Sequence, residues 1–215
     1  PSGPGLSSIE NEIPYLKALK NADYNFFDSG YFVLLLKYFK KIDVNKFSGY
    51  LFIKLFLEYI KKNNNKKLFL VDPNIRLSVS NTKLFDKIGV SKKNINNYIA
   101  PHYDSKSISD KKLLNIVKNI KPDYILLNIG GGTQEILGLY LKNNIHFKCT
   151  IICTGAAISY FTGDQAPINV FFDKIYLGWL IRIIFNPRFF FPRYLKSIKL
   201  IHIVLNNNIK IFKSK

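Results

Sequence analysis

Short apolar runs alternate with amphipathic segments along most of this chain. Runs rich in Ile, Leu, Val and aromatic residues predict strands at residues 24–27, 67–71, 97–100, 124–129 and 147–153. Apolar residues at helical spacing predict helices at residues 9–19, 31–39, 47–62, 84–88 and 113–120, and a further helix that begins at Thr133. Strands that alternate with helices at this rhythm are typical of an α/β fold, here a Rossmann-like parallel sheet flanked by helices.

The most informative segment lies between Lys121 and Glu135. Its apolar run, residues 124–129, predicts a strand that is buried on both faces. The residues that follow are Gly130, Gly131 and Gly132, and then Thr133, Gln134 and Glu135, which open a helical pattern. A glycine turn at a helix N-terminus leaves backbone N–H groups uncovered and aligned with the helix dipole, which suits an anion. The alternative is a tight strand-to-helix turn that binds no ligand.

Several polar residues directly follow predicted strands. They are Asp28, Asp72, the glycine turn with Gln134, and Thr154 with Gly155. Because the carboxyl ends of parallel strands meet at one edge of a sheet, we expect these residues on one rim, and that rim is the predicted site. The alternative role for Asp28 is a helix N-cap. Tyr103, in a polar loop after residues 97–100, is a further candidate for the rim, with ordinary loop polarity as the alternative.

The character of the chain changes at residue 174. No Asp or Glu occurs after Asp173, whereas Lys and Arg continue among aromatic residues such as Trp179 and Tyr194. Rings and cations together suit a membrane interface with anionic lipid, and they also suit RNA; the high Ile and Leu content favours lipid. We therefore expect a core at residues 1–173 and a basic, aromatic helical C-terminal appendage at residues 174–215. A helical pair packed on the core is compatible with either partner.

Composition and charge agree with a globular protein that meets an anionic partner. Hydrophobic residues make up 47% of the chain, and the formal net charge is +18. Cys149 and Cys153 lie in one apolar run with a spacing that puts both on one face of a strand, which predicts core cysteines in a reducing compartment. No run reaches the ~18 uncharged apolar residues that a spanning helix needs, so we expect a cytoplasmic protein that does not cross the membrane.

Three sets of residues resemble the motifs of one protein family. The first is Ala22-Asp23 followed by Phe27-Asp28-Ser29-Gly30, similar to Ala-Asp…Pro-Asp-Gly. The second is Lys121-Pro122-Asp123 with Gly130-Gly131-Gly132-Thr133-Gln134-Glu135, similar to Pro-Asp…Gly-x-Pro-x-Gln-Glu. The third comprises Thr154-Gly155-Ala156-Ala157, Thr162-Gly163, Ala166-Pro167, Leu177, Trp179-Leu180-Ile181-Arg182, Pro187-Arg188 and Arg193-Tyr194. In order and spacing these residues resemble the bacterial WecG/TagA/CpsF glycosyltransferase family.

The resemblance implies an inverting transferase that moves a sugar from a UDP donor to a polyprenyl-diphosphate-linked acceptor in surface or cell-wall polysaccharide biosynthesis. Its best-known members transfer N-acetylmannosamine or its uronic acid. Asp28 is then the expected catalytic base. The expected substrate-binding residues are Gly130, Gly131, Gly132, Thr133, Gln134, Glu135, Asp72, Thr154, Gly155 and Tyr103. The residues expected to hold the acceptor diphosphate and the membrane surface are Arg182, Arg188, Arg193, Tyr194 and Trp179.

The resemblance implies neither a cofactor nor a metal ion, and it places the protein on the inner face of the plasma membrane. It has departures: Gln165 stands where the family has Arg, Gly178 where it has Glu, and Asn186 where it has Glu before Pro. The family's N-terminal Thr-x-Asn segment is expected at or before Pro1. Two alternatives stay open, a basic nucleic-acid-binding module and a catalytically inactive, membrane-docked relative. For the leading hypothesis no nucleic-acid partner is expected.

Overall fold

A computed structural model of the protein describes residues 1–104, 107–165 and 178–207. The helices are α1 (Gly3–Leu6), α2 (Ile13–Lys20), α3 (Gly30–Lys40), α4 (Gly49–Lys62), α5 (Ile75–Lys87), α6 (Lys111–Ile120), α7 (Thr133–Asn144), α8 (Ser159–Thr162), α9 (Gly178–Phe185), α10 (Pro187–Lys196) and α11 (Lys199–Asn206). The strands are β1 (Leu68–Asp72), β2 (Ile95–Ile99), β3 (Tyr124–Leu127) and β4 (Thr150–Cys153).

The chain divides into two compact units. We call the one that contains the sheet the sheet unit; it comprises Glu12–Tyr24 and Gly49–Pro167. The other, the basic unit, comprises Pro1–Asn11, Asn25–Ser48 and Ile168–Lys215. The expected boundary between residues 173 and 174 lies outside the described residues, and the division of roles that it marks stays a prediction.

The sheet unit is built on four parallel strands in the order β2-β1-β3-β4. In the register of the two central strands, Leu70 lies opposite Leu126. All five residues of β1 are buried, as expected for a strand covered on both faces. Leu68 and Leu70 point to a cluster with Ile53, Phe56 and Ile60 of α4, together with Phe85 of α5. The sheet is therefore parallel and flanked by helices, as predicted.

The opposite face of the sheet carries a second apolar cluster. Along β1, Phe69 and Val71 alternate with the residues that point to the first cluster, so their side chains lie on the other face. There they pack on Leu113 of α6 and Leu137 of α7. Gly138 allows α7 to approach closely: a Cβ there would stand 3.3 Å from Sγ of Cys153 and 3.4 Å from Cδ1 of Leu127. This packing fixes the start of α7 relative to the ends of β3 and β4.

The basic unit has a smaller apolar cluster of its own. Leu35 of α3 is buried with Leu200 and Val204 of α11. Helix α3 begins at a cap, because the Ser29 side chain accepts a hydrogen bond from the amide of Phe32 at 3.2 Å. Lys40 near the end of α3 donates to the Leu205 carbonyl at 3.1 Å. The C-terminal helices expected from the sequence are present in the described range.

The predicted strand at residues 24–27 is wrong. Residues 24–29 form no regular element, and Tyr24 is 82% exposed. The amide of Asp28 donates to the carbonyl of Phe26 at 3.0 Å, a tight turn that an extended strand does not make. Phe26 instead packs on Phe47, with ring centroids 5.0 Å apart. Short aromatic runs satisfy a strand pattern without having a neighbouring strand to pair with.

Three element boundaries differ from the prediction by three residues or more, and the others by at most two. The first helix expected from residue 9 begins at Ile13, where Pro14 occupies the first turn. The helix expected at residues 84–88 already begins at Ile75, because the Asn74 side chain caps it by accepting from the amide of Leu77 at 2.9 Å. The strand expected at residues 147–153 begins at Thr150.

Candidate functional site

Three polar residues meet at the carboxyl edge of the parallel sheet. Asp72 is the last residue of β1, Asn128 directly follows β3, and Thr154 directly follows β4. Backbone bonds hold these ends in register: the amide of Asn128 donates to the Val71 carbonyl at 2.9 Å, and that of Thr154 to the Leu127 carbonyl at 3.1 Å. This edge is where open α/β sheets bind their ligands.

The glycine turn lies at the same edge, between β3 and α7. Gly130 and Gly131 are exposed, and no heavy atom lies within 4 Å of the position that a Cβ would occupy on either. Gly132 has a φ of +87°, a conformation that favours glycine. Helix α7 starts at the next residue, Thr133, and runs for 12 residues. Open backbone next to the positive end of this helix can receive a phosphate group.

Two side chains of α7 stabilise the turn from inside. Glu135 accepts a hydrogen bond from the Gly132 amide through Oε2 at 2.6 Å. Gln134 is buried; it donates to Oε1 of Glu135 at 3.0 Å, and its own Oε1 accepts from the Gly155 amide at 2.7 Å. Both polar ends of the Gln134 side chain are therefore bonded to protein groups.

Asp72 lies at the centre of a buried polar cluster. It is 0% exposed, and its Oδ1 accepts from the side-chain amides of Asn81 and Asn128, each at 2.7 Å. The amide of Asn97 lies 3.5 Å from Oδ2. Burial raises the pKa of Asp72, and hydrogen bonds from Asn128, Asn81, Ser78 and Asn97 partly offset this rise. The carboxylate contacts protein amides and is covered from solvent.

Tyr103 follows β2, but its hydroxyl bonds to a helix cap. It donates to Oδ2 of Asp110 at 2.6 Å, and Tyr98 donates to the same oxygen at 2.8 Å. The other oxygen of Asp110 caps α6 by accepting from the amide of Leu113 at 2.8 Å. Burial and the bond to Asp110 raise the pKa of Tyr103, and for the same reasons that of Tyr98 rises to about 12.

Asp28 belongs to the basic unit and directly precedes Ser29, the N-cap of α3. It is neither a strand end nor the cap, so both sequence arguments for its position were wrong. Its role as the catalytic base was implied by the family resemblance and stays a prediction.

The expected acceptor residues lie on α9 and α10 of the basic unit. Arg182 donates to the hydroxyl of Tyr194 at 3.2 Å, and the rings of Trp179 and Tyr194 are 6.2 Å apart. Arg188 and Arg193 are exposed. Cations and aromatic rings therefore occur together on these two helices.

The structure brings together, in the sheet unit, most of the residues that were expected to bind substrate, and it shows further polar contacts that the sequence did not predict. Asn81, Asn97 and Asn128 surround Asp72, and Arg76 forms an ion pair with Asp164, 2.5 Å apart. Asn128 could have been recognised in the sequence, since it is a polar residue inside an otherwise apolar run before the glycines. The ion pair between Arg76 and Asp164 could not have been predicted, because the two residues lie 88 positions apart in the chain.

Metal-ligand clusters and membrane-spanning helices are both absent from the described parts of the chain. Among residues 1–104, 107–165 and 178–207, no three His, Cys, Asp or Glu side chains come together as metal ligands would. None of the helices in these ranges combines the length and the apolar character needed to cross a bilayer.

Comparison with known proteins identifies the family of the chain. No curated protein matches the chain. The sequence model of the glycosyl transferase WecG/TagA/CpsF family matches residues 5–214, nearly the whole chain, with the glycine turn, the strand ends and the C-terminal helices inside the match. The chain therefore belongs to the WecG/TagA/CpsF family of glycosyltransferases.

Proposed function

We propose that the protein transfers a sugar, with inversion at the anomeric carbon, from a UDP donor to a polyprenyl-diphosphate-linked acceptor. The family supports a glycosyltransferase of polysaccharide biosynthesis. The finer assignment of UDP, of the lipid-linked acceptor and of inversion is our proposal. It places the reaction at the inner face of the plasma membrane, where such an acceptor presents its diphosphate.

The observation that carries the proposal is the open glycine turn at the carboxyl edge of the sheet. Gly130 and Gly131 are exposed and uncrowded, and they precede the N-terminus of a 12-residue helix. A diphosphate that sits there gains hydrogen bonds from backbone amides and the favourable end of the helix dipole. The same groups stabilise the leaving UDP as negative charge builds on its diphosphate in the transition state.

The chemistry needs a base for the acceptor hydroxyl. The hydroxyl oxygen attacks the anomeric carbon opposite the donor diphosphate, a new glycosidic bond forms, and UDP departs with the bonding electron pair. Asp28 is the proposed base that takes the hydroxyl proton. Arg182, Arg188 and Arg193 are proposed to hold the acceptor diphosphate, while Trp179 and Tyr194 meet the lipid surface.

The test is UDP release from a panel of UDP-sugars with a short polyprenyl-diphosphate-GlcNAc acceptor, in the wild-type protein and in Asp28→Asn. We expect one donor to turn over, and Asp28→Asn to lose about 10²-fold or more in kcat because the base is gone. Asp43→Asn is the matched control in the same unit, since Asp43 is exposed and its Lys37 partner lies 3.9 Å away. Its kcat should stay at the wild-type level.

Two results would contradict parts of the proposal. Equal turnover by wild type and Asp28→Asn removes Asp28 from the mechanism and leaves the transferase assignment in place. Absence of turnover with every donor, while a UDP-sugar still binds, identifies an inactive relative of the family.

A further inference from the structure

A chain of hydrogen bonds, interrupted by one peptide bond, leads from Asp72 to the glycine turn. Asn128 donates to Asp72 at 2.7 Å. The Thr154 hydroxyl lies 2.5 Å from the carbonyl oxygen of the Asn128 side chain and 2.9 Å from the Leu127 carbonyl, and its single proton is shared between these two acceptors. The neighbour of Thr154 is Gly155, whose amide donates to Gln134 at 2.7 Å. Gln134 in turn donates to Glu135, and Glu135 accepts from the amide of Gly132. The chain thus joins the ends of β1, β3 and β4 to the start of α7.

Each link in this chain restricts the next one. Asn128 has one carbonyl and one amide group at its end, and both are bonded, so its rotation about the last bond is fixed. Gly155 has a φ of +55°, and the Gln134 side chain lies 3.5 Å from where a Cβ would stand. The contact that holds Gly155 to Gln134 is the hydrogen bond from its amide to Oε1, at 2.7 Å.

Asp72 is the acceptor at the start of the chain. The side-chain amides of Asn81 and Asn128 are buried, and both donate to Oδ1 of Asp72. A carboxylate accepts these hydrogen bonds more strongly than a neutral carbonyl would. Without that acceptor, buried amide donors would be left unsatisfied, which is costly in a region shielded from water. Asn128 would then be free to turn away from Thr154.

We propose that Asp72 is a positioning residue for the anion-binding turn. It acts through Asn128 and Thr154 on Gly155, and through Gln134 and Glu135 on the backbone of Gly132. Because the carboxylate is 0% exposed, it does this without touching the substrate. That the turn receives the donor diphosphate rests on the proposed function; that Asp72 holds the turn in place does not.

The first experiment measures amide hydrogen exchange by NMR in the free, full-length protein. Three variants are compared with wild type: Asp72→Ala, which removes the acceptor, Thr154→Val and Thr82→Val. Thr82 is the matched control, since its hydroxyl accepts from Asn97 at the opposite end of the same polar cluster, 3.0 Å away. Thr154→Val leaves Asp72 in place and removes the next link, so it tests the chain even if Asp72→Ala does not fold.

We expect the amides of Gly132 and Gly155 to exchange about tenfold faster in Asp72→Ala and Thr154→Val, because each loses part of the chain that protects them. In Thr82→Val both amides should exchange at the wild-type rate. Slow exchange at Leu70 and Leu126 reports that the sheet is intact. The proposal is overturned if Gly132 and Gly155 keep wild-type rates in folded Asp72→Ala or in Thr154→Val, or if Thr82→Val accelerates them to the same extent.

The second experiment titrates UDP into the same variants by calorimetry. We expect Kd to rise about tenfold in Thr154→Val and Asp72→Ala, and to be unchanged in Thr82→Val. If wild type binds no UDP although the exchange result holds, the proposed function fails and the positioning role stands. If UDP binds all variants equally while the turn exchanges faster, Asp72 positions the turn but not the ligand site, and the link to donor binding is overturned.

Discussion

At the scale of single residues, the placement of a hydroxyl decides between a role in binding and a role in stability. Tyr103 was a candidate for the rim, with ordinary loop polarity as the alternative. Its hydroxyl and that of Tyr98 converge on one oxygen of Asp110. Asp110 also caps α6. Because the pKa of Tyr98 is about 12 and that of Tyr103 is raised as well, both phenols stay protonated and donate throughout the neutral range.

We predict that Tyr103→Phe lowers stability and spares activity. Each lost bond to the Asp110 carboxylate should lower the free energy of unfolding by about 1–2 kcal/mol, measured by urea denaturation. Tyr98→Phe is the matched control, since it removes the other bond to the same oxygen, and both variants should keep the wild-type KM for the donor. A raised KM in Tyr103→Phe alone would show that this hydroxyl contacts the substrate.

At the scale of elements, the sequence predicted the strands that are buried on both faces. It did not predict contacts between residues that lie far apart in the chain. The runs that became β1 and β3 are apolar throughout because helices cover both faces, so strand and parallel sheet followed from the pattern. Residues 24–27 are also mostly apolar, but no strand pairs with them within the described parts of the chain. The bond between Asn128 and Asp72 spans 56 residues, and no local pattern contains it.

The glycine turn gives an element-scale prediction, because its glycines serve different purposes. Gly132 has a φ of +87° and a ψ of −63°, so Gly132→Ala should cost about 1–3 kcal/mol in the free energy of unfolding. Gly130 has no positive φ, and no heavy atom lies within 4 Å of the position that a Cβ would occupy. Gly130→Ala should therefore change the free energy of unfolding by less than about 0.5 kcal/mol. Urea denaturation of the two variants measures this difference, and equal losses would contradict it.

At the scale of the whole molecule, positive charge and exposed apolar side chains occur together near the C-terminus. The described residues 178–207 contain Arg and Lys but no Asp or Glu. Several large apolar side chains in this range are exposed: Trp179, Ile184, Phe185, Phe191 and Leu195. In water such side chains are costly, whereas at an anionic lipid surface the rings and cations both gain. The net charge of +18 adds long-range attraction to the same surface.

We therefore predict that the protein sediments with vesicles that contain anionic lipid and is released when salt is raised from about 0.1 M to about 1 M. Replacing Arg188 and Arg193 by Gln should weaken vesicle binding about tenfold or more, because each cation near the surface contributes about 1 kcal/mol. Replacing Lys61 and Lys62 by Gln is the control: it removes the same charge from the exposed end of α4 in the sheet unit, and binding should hardly change. If both pairs of substitutions weaken vesicle binding equally, net charge alone attracts the protein and there is no docking face.

If the protein binds a single-stranded RNA more tightly than it binds the vesicles, and replacing Arg188 and Arg193 abolishes that RNA binding, the result supports the nucleic-acid alternative instead.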